Sequence, residues 1–200
     1  MLSILMMLLL PQNLFFESDN DMNREDNDVN REFKEVVNDL TNDIMNLTKG
    51  ITKLSHIIRR ISQNSNSSIF VIPLKQYGFN ALTPATAKEI LKDNGFANNN
   101  LEKDFLNIIR NDGYHLNIKN TDHYLIETIA AVDGAVILDT CLNIVSFGEV
   151  IDVPGSIVYD DTFGTGTKAA RYASRLGIAI KISEDGDIYI FYNQKLLLKI

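Results

Sequence analysis

Two short segments carry the residue types that could bind a phosphate group. The first is Asp133-Gly134-Ala135, which follows a predicted helix over 122–132 and precedes an apolar strand. The second is segment 163–168, Phe-Gly-Thr-Gly-Thr-Lys, which leads into another predicted helix. A carboxylate at a turn can hold a divalent cation, and the N–H groups at a helix start lack intrahelical partners and attract anions. Together the two segments predict a nucleotide-phosphate site.

The Asp-Gly turn also has a simpler interpretation. Asp133 could cap the backbone of the turn, and Gly134 could take a backbone conformation that is closed to other residues. For the tripeptide alone, this structural interpretation is the better one. The functional interpretation depends on the second segment lying close to the first.

The Gly-Thr segment offers successive backbone donors, two hydroxyls and one ammonium, which is typical of a phosphate-binding nest. Its residues are Gly164, Thr165, Gly166, Thr167 and Lys168. The spacing of its glycines also fits the GxGxxA pattern of a dinucleotide site. However, the strand before it is weak and the repeated βα units of a Rossmann sheet do not follow. A loop that only caps a helix is the structural alternative.

The composition limits the classes of function. The chain has 200 residues, of which 45% are hydrophobic, so it can form one domain with a core and an extension. A net charge of −7 and a pI near 4.9 argue against a nucleic-acid surface, which needs Lys and Arg to displace counterions. The single cysteine, Cys141, predicts a reducing, cytoplasmic environment.

The amino-terminal residues divide into an apolar segment over 1–16 and an acidic linker over 17–30. The run from Met1 to Leu10 is almost wholly apolar, whereas a membrane-spanning helix needs about 20 such residues. No Lys or Arg precedes Arg24, so a secretory signal is not indicated. Peripheral membrane anchoring, packing into a partner, and the stub of a longer upstream element all remain open.

Residues 31–63 are predicted to form an amphipathic or coiled-coil helix. Their apolar positions alternate three and four apart: Val37, Leu40, Ile44, Leu47, Ile51, Leu54, Ile58 and Ile61. Branched residues at one core position and leucines at the other favour two parallel strands. A homodimer is therefore one hypothesis, and a helix that lies on its own domain is the alternative.

Residues 68–200 are predicted to form an α/β domain with a mixed sheet flanked by helices. Strands are expected over 68–73, 135–138, 144–147, 178–182, 188–192 and 196–200, and helices over 83–93, 101–110 and 168–176. The turns Asp185-Gly186 and Asn193-Gln194 have hairpin length, which makes the last strands antiparallel.

From about Tyr124 onward, the order helix, Asp-Gly-Ala, two strands, Gly-Thr loop, helix and Ser183-Glu184 resembles the catalytic part of the diadenylate cyclase family. The resemblance implies an α/β domain that condenses two ATP molecules into cyclic di-AMP with Mg²⁺ or Mn²⁺. It also implies that two domains face one another, each presenting one ATP.

The resemblance implies a role for each matching residue. Asp133 would be the catalytic residue and a metal ligand, with Gly134 and Ala135 along the adenosine. The Gly-Thr loop would contact phosphates, Ser183 would bind the nucleotide, and Glu184 would be the second metal ligand.

The second motif departs from the family pattern. Where the family has Gly-Thr-Arg-His-Arg, this chain has Gly-Thr followed by Gly166-Thr167-Lys168. A lysine is a point charge and does not grip phosphate oxygens bidentately as arginine does. A catalytically degenerate sensor of a nucleotide or cyclic dinucleotide, which signals through the amino-terminal helix, is therefore the alternative function.

Overall fold

A computed structural model describes residues 27–74, 91–97, 116–155, 157 and 163–200, with only the backbone for 27–35, 40 and 97. The predicted helix over 101–110 and the apolar segment over 1–16 lie outside the described residues, as does most of the predicted helix over 83–93. Within the described ranges, no helix has both the length and the apolar character needed to cross a bilayer.

The described elements alternate between helices and strands. The helices are α1 (Asn27–Gln63), α2 (His123–Ala130) and α3 (Thr165–Ala173), the last continued by a 3₁₀ turn over Ser174–Leu176. The strands are β1 (Ser68–Pro73), β2 (Phe96–Ala97), β3 (Ala135–Leu138), β4 (Ile144–Ile151), β5 (Gly177–Ile182), β6 (Ile188–Tyr192) and β7 (Lys195–Lys199).

The seven strands form one sheet in the order β2-β4-β3-β1-β5-β6-β7. Only β1 and β3 are parallel, and every other neighbouring pair is antiparallel. The predicted mixed sheet is confirmed. The last two hairpins follow the expected turns, and Asn193 and Gln194 both have positive φ, at 46° and 61°.

Alternating side chains place a core on each face of the sheet, because successive strand residues point to opposite sides. On one face Phe70, Ile72 and Ile180 pack with α1 and α2. On the other face Val71 and Ala179 pack with α3. The result is an α/β/α sandwich, and the continuous burial of β3 and β5 and the nearly continuous burial of β1 follow from their central positions.

The second half of the heptad pattern faces the chain's own sheet. Ile51, Leu54, Ile58 and Ile61 are at most 3% exposed and belong to the core on the α1 face. These side chains therefore follow the alternative of a helix that lies on its own domain. Earlier in the helix, Val37 is 42% exposed, and the homodimer stays a prediction.

Several element boundaries differ from the sequence prediction: α1 begins at Asn27, inside the segment predicted as an acidic linker, and β7 covers Lys195–Lys199 rather than 196–200. Helix α3 begins at Thr165, three residues before the predicted start at Lys168. Glycine and threonine are poor helix formers, which is why propensity alone delays the start. Strand β4 continues to Ile151 because Phe96 and Ala97 of β2 pair with its last residues.

Candidate functional site

One cavity of about 890 Å³ lies at the end of the sheet where β1 and β3 begin and β4 and β5 end. The first turn of α3 closes one side of it. Pockets for small molecules and cofactors typically measure about 300–1,000 Å³. The cavity is therefore large enough for a nucleotide.

Asp133 and Gly134 reach the cavity from the turn before β3. The Asp133 side chain is exposed to solvent, while Gly134 is half-buried. Gly134 has φ +111°, and a Cβ there would lie 2.5 Å from the carbonyl carbon of Gly148 in β4. The glycine is thus required by the close approach of two backbones, in the turn that brings Asp133 to the cavity.

The first turn of α3 enters the same cavity through Thr165, Gly166 and Lys168. Gly164 is the N-cap residue, with extended backbone and no side-chain capping bond, and the Lys168 N–H donates to its carbonyl at 3.0 Å. By their position the N–H groups of residues 164–167 have no intrahelical acceptor. The early start of α3 therefore turns the Gly-Thr segment into the anion-attracting end of a helix.

Glu184 reaches the cavity from the turn that follows β5, and its side chain is exposed. Its neighbour Ser183 does not line the cavity. The Ser183 hydroxyl is buried without a hydrogen-bond partner among the described residues.

The structure thus brings most of the predicted site residues together and separates the rest. Those that line the cavity are Asp133, Gly134, Thr165, Gly166, Lys168 and Glu184. Those that do not are Ala135, Gly164, Thr167 and Ser183. Ala135 is fully buried in the core on the α3 face, and Thr167 is 8% exposed.

Two charged residues of the cavity, Glu149 of β4 and Lys181 of β5, were not predicted as site residues from the sequence. Glu149 is 2% exposed and accepts a hydrogen bond from Ser146. Lys181 is 5% exposed in the otherwise apolar strand Gly-Ile-Ala-Ile-Lys-Ile. The sequence did carry a signal for these two residues, namely a charged residue inside an apolar strand. Charged side chains are almost never fully buried unless they are paired.

The environment of the Lys181 ammonium perturbs its pKa. Its Nζ donates to the Ser67 hydroxyl and, at 2.7 Å, to the Ile182 carbonyl. Burial lowers the pKa of this ammonium, and the negative charge of Glu184 raises that pKa by a smaller amount. Desolvation disfavours the charged form of a lysine, which explains the direction.

The carboxylates of the cavity suit a hard cation only in part. Asp133 and Glu184 line the same cavity, but the described ranges contain no cluster of three or more His, Cys, Asp or Glu side chains that could hold a metal. Mg²⁺ commonly binds through one or two carboxylates together with substrate phosphates. These two carboxylates therefore fit a metal that arrives with a nucleotide.

No family model matches the chain, and no curated protein matches it. Solved structures do match. A double mutant of DacA from Staphylococcus aureus is 16% identical with a TM-score of 0.48, and the match covers 74% of this chain and 84% of that chain. A hypothetical membrane spanning protein from Bacillus cereus is 14% identical with a TM-score of 0.49, and the match covers 98% and 86% of the two chains. Neither likeness says anything about the residues of the cavity.

Proposed function

We propose that this chain is a nucleotide-binding domain of the diadenylate cyclase type, which condenses two ATP molecules into cyclic di-AMP. The observation that carries the proposal is the convergence of Asp133 and the first turn of α3 on one cavity. These segments are separated in sequence, and each alone had a structural explanation. Their meeting in a cavity of nucleotide size supports a shared ligand.

The residues of the cavity have distinct roles in this proposal. The N–H groups of the α3 start and the Lys168 ammonium bind phosphate oxygens, since both are positive and both line the cavity. Asp133 orients the 3′-hydroxyl and accepts its proton. A divalent cation, when bound by Asp133 and Glu184, supplies positive charge to the phosphates.

The proposed reaction needs two copies of the chain. The 3′-hydroxyl of one ATP attacks the α-phosphate of the other, so that one P–O bond forms and pyrophosphate leaves. Repeating this step with the two roles exchanged closes the ring. Phosphoryl transfer depends mainly on positioning and electrostatic stabilisation, to which a helix start and two carboxylates that line one cavity can contribute.

A sensor that binds a nucleotide without turning it over is the second candidate. The specific observation in its favour is that the Gly-Thr segment contributes a single cation, Lys168, to the cavity. A lone lysine orients a triphosphate less firmly than an arginine fork does. Such a domain would signal a bound ligand through α1, which packs on the sheet.

Incubation of the purified protein with ATP and Mn²⁺, followed by mass spectrometry, separates the candidates. We expect cyclic di-AMP from the wild type and a loss of at least about 100-fold in its rate of formation for Asp133→Asn, because a positioned general base contributes about 10²–10⁴-fold. Asp43→Asn is the matched control, since Asp43 is an exposed aspartate on α1.

Other outcomes of these experiments would favour a different function or a different role for Asp133. A wild type that is thermally stabilised by ATP but yields no product supports the sensor. Full product formation by Asp133→Asn would refute the proposed role of that carboxylate. No thermal shift with any nucleotide would indicate a structural scaffold.

A further inference from the structure

Lys181 is a buried charged residue in an otherwise apolar strand. It lies in β5 on the same side of the sheet as Ala179, which packs against α3. Its side chain is only 5% exposed, and the strand's other residues are apolar. Burying an ammonium costs free energy unless the charge is paired with a protein group or a ligand. An apolar residue at this position would avoid that cost.

The partners of Lys181 within the protein do not neutralise its charge. The ammonium donates to a serine hydroxyl and to a backbone carbonyl, which are both neutral. Within the described part of the chain, no carboxylate lies at ion-pair distance from it. An ammonium has three donors, so one remains after these two bonds.

The start of α3 leaves space for this ammonium. A Cβ on Gly166 would lie 3.0 Å from Cε and 3.3 Å from Nζ of Lys181. The glycine therefore lets the ammonium lie directly against the turn whose N–H groups lack intrahelical acceptors.

We propose that Lys181 is a phosphate-binding residue, whose ammonium contacts the nucleotide phosphates from the sheet side while the first turn of α3 contacts them from the helix side. The cavity then presents two lysines from different elements, Lys181 and Lys168. An anionic ligand supplies a negative charge in direct contact with Lys181, whereas Glu184 acts on it only through space. This inference rests on the proposed function only in taking the ligand to be a nucleotide.

The test is to compare the affinities of wild type and Lys181→Met for ATP, inorganic triphosphate and adenosine by titration calorimetry. Charge-assisted hydrogen bonds predict a loss of roughly 10- to 100-fold for ATP and for inorganic triphosphate, with no change for adenosine. Lys49→Met is the matched control, because Lys49 is an exposed lysine on α1. It should bind all three ligands as the wild type does.

A second variant guards against misfolding. Gly166→Ala should fold, since alanine is the better helix former, and its methyl group would push against the Lys181 side chain. We expect a smaller loss of ATP affinity in the same direction. Lys181→Met itself should keep its melting temperature, because apolar replacements of buried charges are often neutral or stabilising.

The remaining outcomes separate this inference from the proposed function. Unchanged ATP affinity in Lys181→Met, or a parallel loss for ATP and adenosine, would overturn the phosphate contact, while the Asp133→Asn assay would still decide the reaction. A loss confined to phosphate-bearing ligands in a protein that makes no cyclic di-AMP would support Lys181 and refute the reaction. A wild type that binds neither ATP nor inorganic triphosphate would overturn both.

Discussion

Replacing Gly134 by alanine tests whether the Asp-Gly turn is held by backbone packing. In the structure, the three atoms nearest to a Cβ at this position would all be main-chain atoms of β4: it would lie 2.5 Å from the Gly148 carbonyl carbon, 2.8 Å from the Glu149 nitrogen and 2.9 Å from the Gly148 Cα. None of these atoms can rotate away. The turn and the start of β3 would have to move away from β4.

The expected cost has two parts. A residue other than glycine at φ +111° is strained by about 1–3 kcal/mol. Overpacking against atoms that cannot yield adds about 1–3 kcal/mol. We therefore expect Gly134→Ala to lower the free energy of unfolding by about 2–6 kcal/mol, a large share of the roughly 5–15 kcal/mol of a typical domain.

Gly148→Ala is the matched control. Gly148 also has a positive φ, +67°, but its Cβ would lie 3.3 Å from a Val132 methyl carbon and 3.6 Å from the Asp133 carbonyl oxygen. Val132 is partly exposed and its side chain can move. Only the left-handed strain of about 1–2 kcal/mol should remain.

Urea denaturation followed by circular dichroism measures both variants. A Gly134→Ala protein that is no less stable than Gly148→Ala would refute the steric requirement for glycine at position 134. A Gly134→Ala protein of wild-type stability that has lost ATP affinity would instead mean that the glycine serves ligand contact alone.

Two further predictions concern the helix α1 and the last hairpin. Ile58→Ala should lower the free energy of unfolding by about 2–5 kcal/mol, since the side chain is fully buried against the sheet, whereas exposed Val37→Ala should stay within about 0.5 kcal/mol. A urea midpoint that rises with protein concentration, together with a sensitive Val37, would instead indicate that the helices pair. Asp187 pairs with Lys199 at 2.8 Å and accepts a hydrogen bond from the Tyr189 hydroxyl at 2.9 Å, which together lower the pKa of its carboxyl, with Lys199 having the larger effect. A carboxyl with a lowered folded pKa stabilises the fold above its unfolded pKa of about 3.9, so Asp187→Asn should lower the melting temperature at pH 7, and the difference from wild type should shrink as the pH falls below that value. A difference that persists unchanged in acid would contradict this assignment.

The strands of the sheet could be predicted closely because their signals are local. Strands β1, β3 and β6 have the bounds that apolar runs and turn residues indicated. The start of α3 was placed three residues late because glycine and threonine disfavour helix, whereas in the folded chain the helix packs on the sheet through Ala170 and Ala173. Tertiary packing outweighs the low propensity of the first turn.

The heptad pattern alone could not show which surface the apolar face of α1 packs against. A row of apolar residues on a helix requires burial, but a second helix and the chain's own sheet satisfy that requirement equally well. The structure resolves this for residues 51–61, whose side chains lie in the core beside Phe70 and Ile180.

The sequence alone determined the α/β class, most of the strands, and the two segments with phosphate chemistry, because propensity, alternation and turn residues act over a few neighbouring positions. Only the tertiary structure decided that Asp133 and the start of α3 share a cavity, that Gly134 is required by a backbone in β4, and that Lys181 lies beside Gly166. These contacts join residues far apart in the chain, and strand order and register, which no local pattern specifies, bring them together.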